Sequence, residues 1–63
     1  MRNDIKRRRK ARGLRQEDLA KLCEVSRQTI VAIENDQYDP SLALALRLAR
    51  ELDTTVEELF QAQ

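Results

Sequence analysis

Along the chain, apolar residues recur three or four positions apart instead of alternating, and Ala, Leu, Glu, Arg, Lys and Gln outnumber a few scattered β-branched residues. This pattern predicts short amphipathic helices and no strand. The first helix is expected from Asp4 to Arg12, with Asn3 as its N-cap and Gly13, the sole glycine, providing the left-handed residue at its end. A second is expected from Gln16 to Leu22. A third runs from Arg27 to Asn35 behind Ser26, whose hydroxyl can cap the exposed backbone N–H groups. Asp36 to Pro40 reads as a loop, and Pro40 followed by Ser41 marks a stop and a new start, launching a fourth helix from Leu42 to Leu52. Thr55 and Glu58 have the spacing of a capping box, which opens a last helix from Val56 to Gln61.

The segment from Gln16 to Asn35 is the most informative. Only three residues separate Leu22 from the Ser26 cap, a turn too short to let the two helices lie antiparallel, so they must cross steeply. Leu19, Ala20, Cys23, Val25, Ile30 and Ile33 place the inner faces of both against a shared core. Ala20 stands at the crossing, where a small side chain allows close approach, and Ile30 packs from the other side. This is a helix-turn-helix arrangement.

At 63 residues the chain holds one small domain, which buries roughly 60% of its unfolded surface. With 41% apolar and 37% charged residues it is too hydrophobic for a disordered tail and too polar for a membrane span. It has no His, one Cys and one Gly, which removes the Cys/His nucleophile pair, the zinc cage of several Cys and His, and the Gly-rich phosphate loop. The carboxylates have no partnering base, so an enzyme is not expected, and neither is a cofactor or a metal. Cys23 alone cannot form an internal disulfide and reads as a small buried core residue; the sharper alternative is a redox sensor.

Net charge is +1, yet it is divided unevenly. Residues 1–15 carry eight basic side chains (Arg2, Lys6, Arg7, Arg8, Arg9, Lys10, Arg12 and Arg15) and only Asp4 as an acid, while the remainder of the chain is net acidic. Such polarity suits a domain that turns one side to a polyanion; a solvated basic helix has the same composition. No apolar run reaches 18 residues and none follows the charged N-terminus, so neither a transmembrane helix nor a signal peptide is expected, and the cytoplasm is the expected location.

Residues 13–60 resemble the Cro/repressor type of helix-turn-helix, also called the xenobiotic response element family. The segments GLRQEDLAKL, VSRQTIVAIEN and VEELF, together with the tyrosine and proline of QYDPSL, carry the likeness in family order and without insertion. The resemblance implies an all-α, compact five-helix domain of the lambda-repressor type, acting on the nucleoid of a prokaryotic or phage-derived system. It makes the third helix the recognition helix, whose N-terminal residues face base edges in the major groove while the second helix crosses the backbone. Arg27, Gln28, Val31 and Ala32 lie off the face defined by Ile30 and Ile33, with Thr29 at its border. Arg27 has the chemistry to read guanine or hold a phosphate, Gln28 to pair with adenine, and Val31 and Ala32 to touch a thymine methyl.

Gln16 and Asn35 match family phosphate-binding positions; Ser26 and Arg15 join them as candidates, and Lys6 and Lys10 either add nonspecific attraction or face solvent. The resemblance also pairs Arg9 with Glu34 as a partly buried ion pair of structural role. Four positions depart from the family pattern. Arg8 replaces leucine, leaving Ile5 almost alone as apolar anchor unless the arginine stem substitutes. Glu24 and Asp36 occupy glycine positions in turns. Arg15 replaces a Ser or Thr cap, losing the hydroxyl and gaining a possible phosphate ligand.

On the fourth helix, Leu42, Ala45, Leu48, Ala49 and Leu52 are expected to form a core stripe flanked by Leu44 and Leu46. With Leu59 and Phe60 these exceed what so small a core readily buries, which points to a homodimer whose recognition helices stand about one DNA turn, roughly 34 Å, apart. The expected function is therefore sequence-specific double-stranded DNA binding by a small transcriptional regulator, a repressor on a palindromic operator. The alternative is an antitoxin-type module that binds a partner protein and regulates its own operon. A helical bundle without DNA affinity is a third reading.

Overall fold

The apolar spacing does build five helices. In the computed structural model, which describes residues 2–61, they are α1 (Ile5–Ala11), α2 (Gln16–Leu22), α3 (Arg27–Glu34), α4 (Leu42–Glu51) and α5 (Val56–Leu59). Two further elements depart from the all-helical expectation. Strand β1 (Arg2–Asn3) pairs antiparallel with β2 (Phe60–Gln61), Arg2 opposite Gln61 and Asn3 opposite Phe60. Two-residue strands have no sequence period to read, and their pairing joins opposite ends of the chain. The last helix consequently stops at Leu59 instead of Gln61, and the Asp4 N–H donates to the Leu59 carbonyl at 2.9 Å.

Asn3 is not the N-cap of α1. That position belongs to Asp4, whose carboxylate turns to the Arg7 and Arg8 guanidiniums, while the Asn3 Oδ1 accepts from the Ile5 N–H at 3.2 Å. Arg7 draws the Asp4 carboxyl below its usual pKa. The caps expected at Ser26, Ser41 and Thr55 form: their hydroxyls accept from the N–H groups of Thr29, Leu44 and Glu58 at 3.1–3.2 Å. The box at Thr55 is only half closed, because the Glu58 carboxylate accepts from the Thr54 hydroxyl.

Helices α1 to α4 end alike. Each is followed by a residue with positive φ, namely Gly13 (70°), Glu24 (59°), Asp36 (62°) and Asp53 (56°). The next N–H reaches back to a carbonyl in the last turn, as in Leu14 to Arg9, Val25 to Ala20, Gln37 to Ala32 and Thr54 to Ala49, at 2.9–3.1 Å. These are Schellman closures, which satisfy carbonyls that a helix end leaves unpaired. Only the first has the residue best suited to it.

Ile5, Leu19, Ile30, Ile33, Leu48 and Leu59 are fully buried, so every helix sends at least one side chain to a common core, and α2 and α3 share the most extensive packing. Ala20 and Cys23 are buried as expected. Burial raises the Cys23 thiol above its ordinary pKa, with Glu51 adding to the shift, which disfavours the reactive thiolate. Leu42 corrects the expected stripe: it is 71% exposed, on the first turn of α4. Leu59 and Phe60, expected in the apolar surplus beyond the core, are instead 0% and 8% exposed and fill the chain's own core.

Candidate nucleic-acid interface

The α2–turn–α3 unit is held by its apolar side and presents its polar side. Val25, in the turn, packs partly against the core and its N–H closes α2, so the four residues 23–26 suffice as a connection. Beyond it, Ser26 caps α3 and accepts from the Thr29 N–H, and the two hydroxyls lie 3.0 Å apart. The Thr29 hydroxyl is thus engaged with the cap, and the residue is half-buried. Arg27 and Gln28 on the first turn are exposed, Val31 and Ala32 are half-buried along the side, and Ile30 and Ile33 anchor the helix from beneath. A guanidinium and a primary amide therefore extend from the tip of a helix that its buried residues hold in place.

At the other end of α3 the structure contains the expected ion pair. Arg9 Nε donates to Glu34 Oε2 at 2.7 Å and Arg9 Nη2 to Glu34 Oε1 at 3.2 Å, with side chains only 7% and 3% exposed. Arg9 Nη1 also donates to the Leu14 carbonyl at 2.9 Å. One guanidinium thus ties together α1, the turn that follows it and α3. Removing either partner would strand a buried charge, a loss of about 3–5 kcal/mol.

Gln16, at the start of α2, is not an open side chain. Its amide Nε2 donates to Glu34 Oε1 at 3.2 Å. Arg15 is exposed but carboxylates surround it: Glu17 approaches Nη1 at 3.3 Å and Asp18 approaches Nε at 3.2 Å. The Asp18 carboxylate also accepts from the Arg15 N–H at 2.8 Å, so the acid three residues on makes its half of a capping box while the half a hydroxyl would make is missing. These contacts hold the Asp18 carboxyl below its usual pKa. Asn35 is exposed at the C-cap of α3, and Lys6 and Lys10 are exposed on α1.

Two positioning contacts escaped the sequence reading. Asn3 Nδ2 donates to the Ile33 carbonyl at 2.8 Å, linking the terminal strand pair to the last turn of α3. Arg47 Nη2 donates to the Leu22 carbonyl at 2.8 Å, binding α4 to the end of α2 while its Nε meets Glu51 at 3.1 Å. Neither has a local sequence signal, since each joins residues far apart in the chain.

On the α4–α5 side, Leu42 and Leu46 are exposed above an open groove that Ala49, Arg50 and Val56 complete. Leu44 instead leans partly onto the core. Of the four residues expected at a dimer interface, Leu46 stands fully in this face, Leu44 borders the core, and Leu59 and Phe60 are internal.

The sequence profile of the helix-turn-helix family matches residues 5–59, nearly the whole described chain. The chain belongs to the helix-turn-helix family, Cro/C1 type. An HTH-type transcriptional regulator of Methanocaldococcus jannaschii is 50% identical over 60 residues, covering 95% of this chain and 91% of that protein. The HTH-type regulator YgzD of Bacillus subtilis is 40% identical over 60 residues, covering 95% and 91%. Among solved structures, the restriction-modification controller protein C.AhdI of Aeromonas hydrophila superposes with a TM-score of 0.81 at 39% identity, covering 89% of this chain and 85% of that one. A complex of the SinR and SinI proteins gives a TM-score of 0.82 at 28% identity, covering 90% of this chain and 56% of that one. As a member of this family the chain is a transcriptional regulator with a non-enzymatic DNA-binding domain. Among the described residues no helix is long and apolar enough to cross a membrane.

Proposed function

We infer that this regulator is a repressor that binds a palindromic operator as a homodimer and occludes the promoter, in the cytoplasm on the nucleoid. The observation that carries the reading is the exposed pair Arg27 and Gln28 on the first turn of α3, held outward by the burial of Ile30 and Ile33. Arg27 offers a bidentate fork to guanine and Gln28 a donor–acceptor pair to adenine, while Val31 and Ala32 meet thymine methyls along the groove wall. Thr29, its hydroxyl shared with Ser26, shapes the border of this surface. Gln16 and Asn35 bracket α2 and α3 as phosphate ligands. Ser26 and Arg15 add to them, and Lys6 and Lys10 contribute long-range attraction.

Each protomer measures 28 × 20 × 19 Å and offers one recognition helix, so two copies joined through the α4–α5 face reach a spacing on the order of one DNA turn, about 34 Å. Leu42 and Leu46 on α4, with Val56 at the start of α5, are the apolar residues such a contact covers, and Leu44 borders the core beside them. The likeness to the SinR–SinI complex supports a second reading, in which the same face receives a different protein, as in an antitoxin-type module. Copurification of an unrelated chain in place of a homodimer would favour it.

Selection of bound duplexes from a random pool tests the base-reading assignment. Arg27→Ala and Gln28→Ala are each expected to lose about 1–3 kcal/mol and to relax the preference at one position of each half-site. Uniform weakening on all sequences would make that residue a backbone contact.

A further inference from the structure

The Arg9–Glu34 pair does more than brace the fold. We propose that Glu34, neutralised by Arg9, is a positioning residue that turns the Gln16 amide toward DNA with its nitrogen committed as donor. The inference rests on the reading of Gln16 as a phosphate ligand and adds what makes that neutral side chain competent. An amide has two ends of opposite character, and only the NH2 end donates to an anionic oxygen. Glu34 as a carboxylate only accepts, so the group facing it must be Nε2, the atom found 3.2 Å from Oε1. One of the two amide N–H bonds is spent on this contact, and the second stays on the same nitrogen for a phosphate.

Charge makes the arrangement workable. A lone carboxylate beside a phosphate site would repel the ligand it helps to bind. Arg9 removes that conflict with two bonds to the same carboxylate, and its third nitrogen is tied to the Leu14 carbonyl, which fixes the guanidinium against the turn after α1. Both side chains of the pair are more than nine-tenths buried, whereas Gln16 is half-buried at the edge of α2. A rigid, electrically balanced base thus supports a side chain that is reachable from outside. A freely rotating glutamine would present nitrogen and oxygen alike and lose rotamer entropy on binding.

The test is a comparison between backgrounds, because Glu34→Ala alone strands Arg9 and risks unfolding. Replacing both partners by apolar residues, Arg9→Met with Glu34→Leu, keeps the site filled and removes both charges together. Affinity is measured for the duplex recovered by selection, with Gln16→Ala introduced into the native and the apolar background and Arg27→Ala as a control in both. Gln16→Ala is expected to weaken binding about tenfold in the native background, which is 1.4 kcal/mol, and less than about twofold in the apolar one. Arg27→Ala should cost the same in both. In the protein without DNA, the Gln16 side-chain amide should give a rigid 15N relaxation signature that becomes mobile in the apolar background. Equal losses from Gln16→Ala in both backgrounds would overturn the positioning role and leave the phosphate contact intact. Loss of the Arg27→Ala effect along with that of Gln16→Ala would show a purely structural pair, which also overturns it. No cost from Gln16→Ala in the native background would remove the phosphate contact and the positioning role together, while the Arg27→Ala result would separately report on base reading.

Discussion

At the scale of single residues, the helix ends show the chain accepting strain. Glu24 adopts φ 59° so that Val25 can close α2 onto Ala20 and start the short turn to α3. A side chain with a Cβ at this position costs about 1–2 kcal/mol relative to glycine, partly offset by the greater unfolded-state entropy of glycine. Glu24→Gly is therefore expected to stabilise the domain by about 0.5 kcal/mol, read as a higher urea midpoint at unchanged slope. A lower midpoint would show that the glutamate earns compensation elsewhere. Glu24 and Asp36 were legible as strained because the family pattern places glycine there. Asp53, with the same geometry after α4, had no such marker. The Gln16–Glu34 hydrogen bond was equally hidden: each residue had its own expected role, and nothing in their spacing joins them.

At the scale of elements, all five helix starts fall within a residue of the expected positions, and three of them, behind Ser26, Ser41 and Thr55, could be read from their capping side chains. Ser26 is the cap with functional weight, since it fixes the first turn of α3 where Arg27 and Gln28 stand and also engages the Thr29 hydroxyl. Ser26→Ala should cost about 1 kcal/mol in stability, measured by thermal or urea unfolding. Ser26→Asp, which also caps, should recover most of it. Equal stability of Ser26→Ala and the native chain would mean that packing of Ile30 and Ile33 alone sets the helix start. The end of α5 was not legible. Phe60 and Gln61 continue a helix-compatible sequence, but pairing with Arg2 and Asn3 satisfies their backbone in strand form and leaves Phe60 buried.

At the scale of the whole molecule, the sequence showed an excess of apolar residues on the C-terminal half, and the fold redistributes it. Leu59 and Phe60 go inside, while Leu42 and Leu46 stay out beside the groove between α4 and α5. Leu46→Glu should therefore disrupt association with little cost to the fold, since the side chain is already half exposed. Sedimentation at tens of micromolar is expected to give a dimer for the native chain and a monomer for the variant, with weaker operator binding and an unchanged melting temperature at low concentration. A native monomer under these conditions would remove the homodimer from the proposal.

Helical period and caps are properties of neighbouring residues, so the sequence alone determined five helices and the place of Arg27 and Gln28 on the first turn of α3. Which leucines remain on the surface, that the two chain ends pair as strands, and that Glu34 holds Gln16 by its nitrogen depend on contacts between residues distant in the chain. Only the tertiary structure decided them, because burial and hydrogen-bond partnership are set by the whole packed body and have no local period to read.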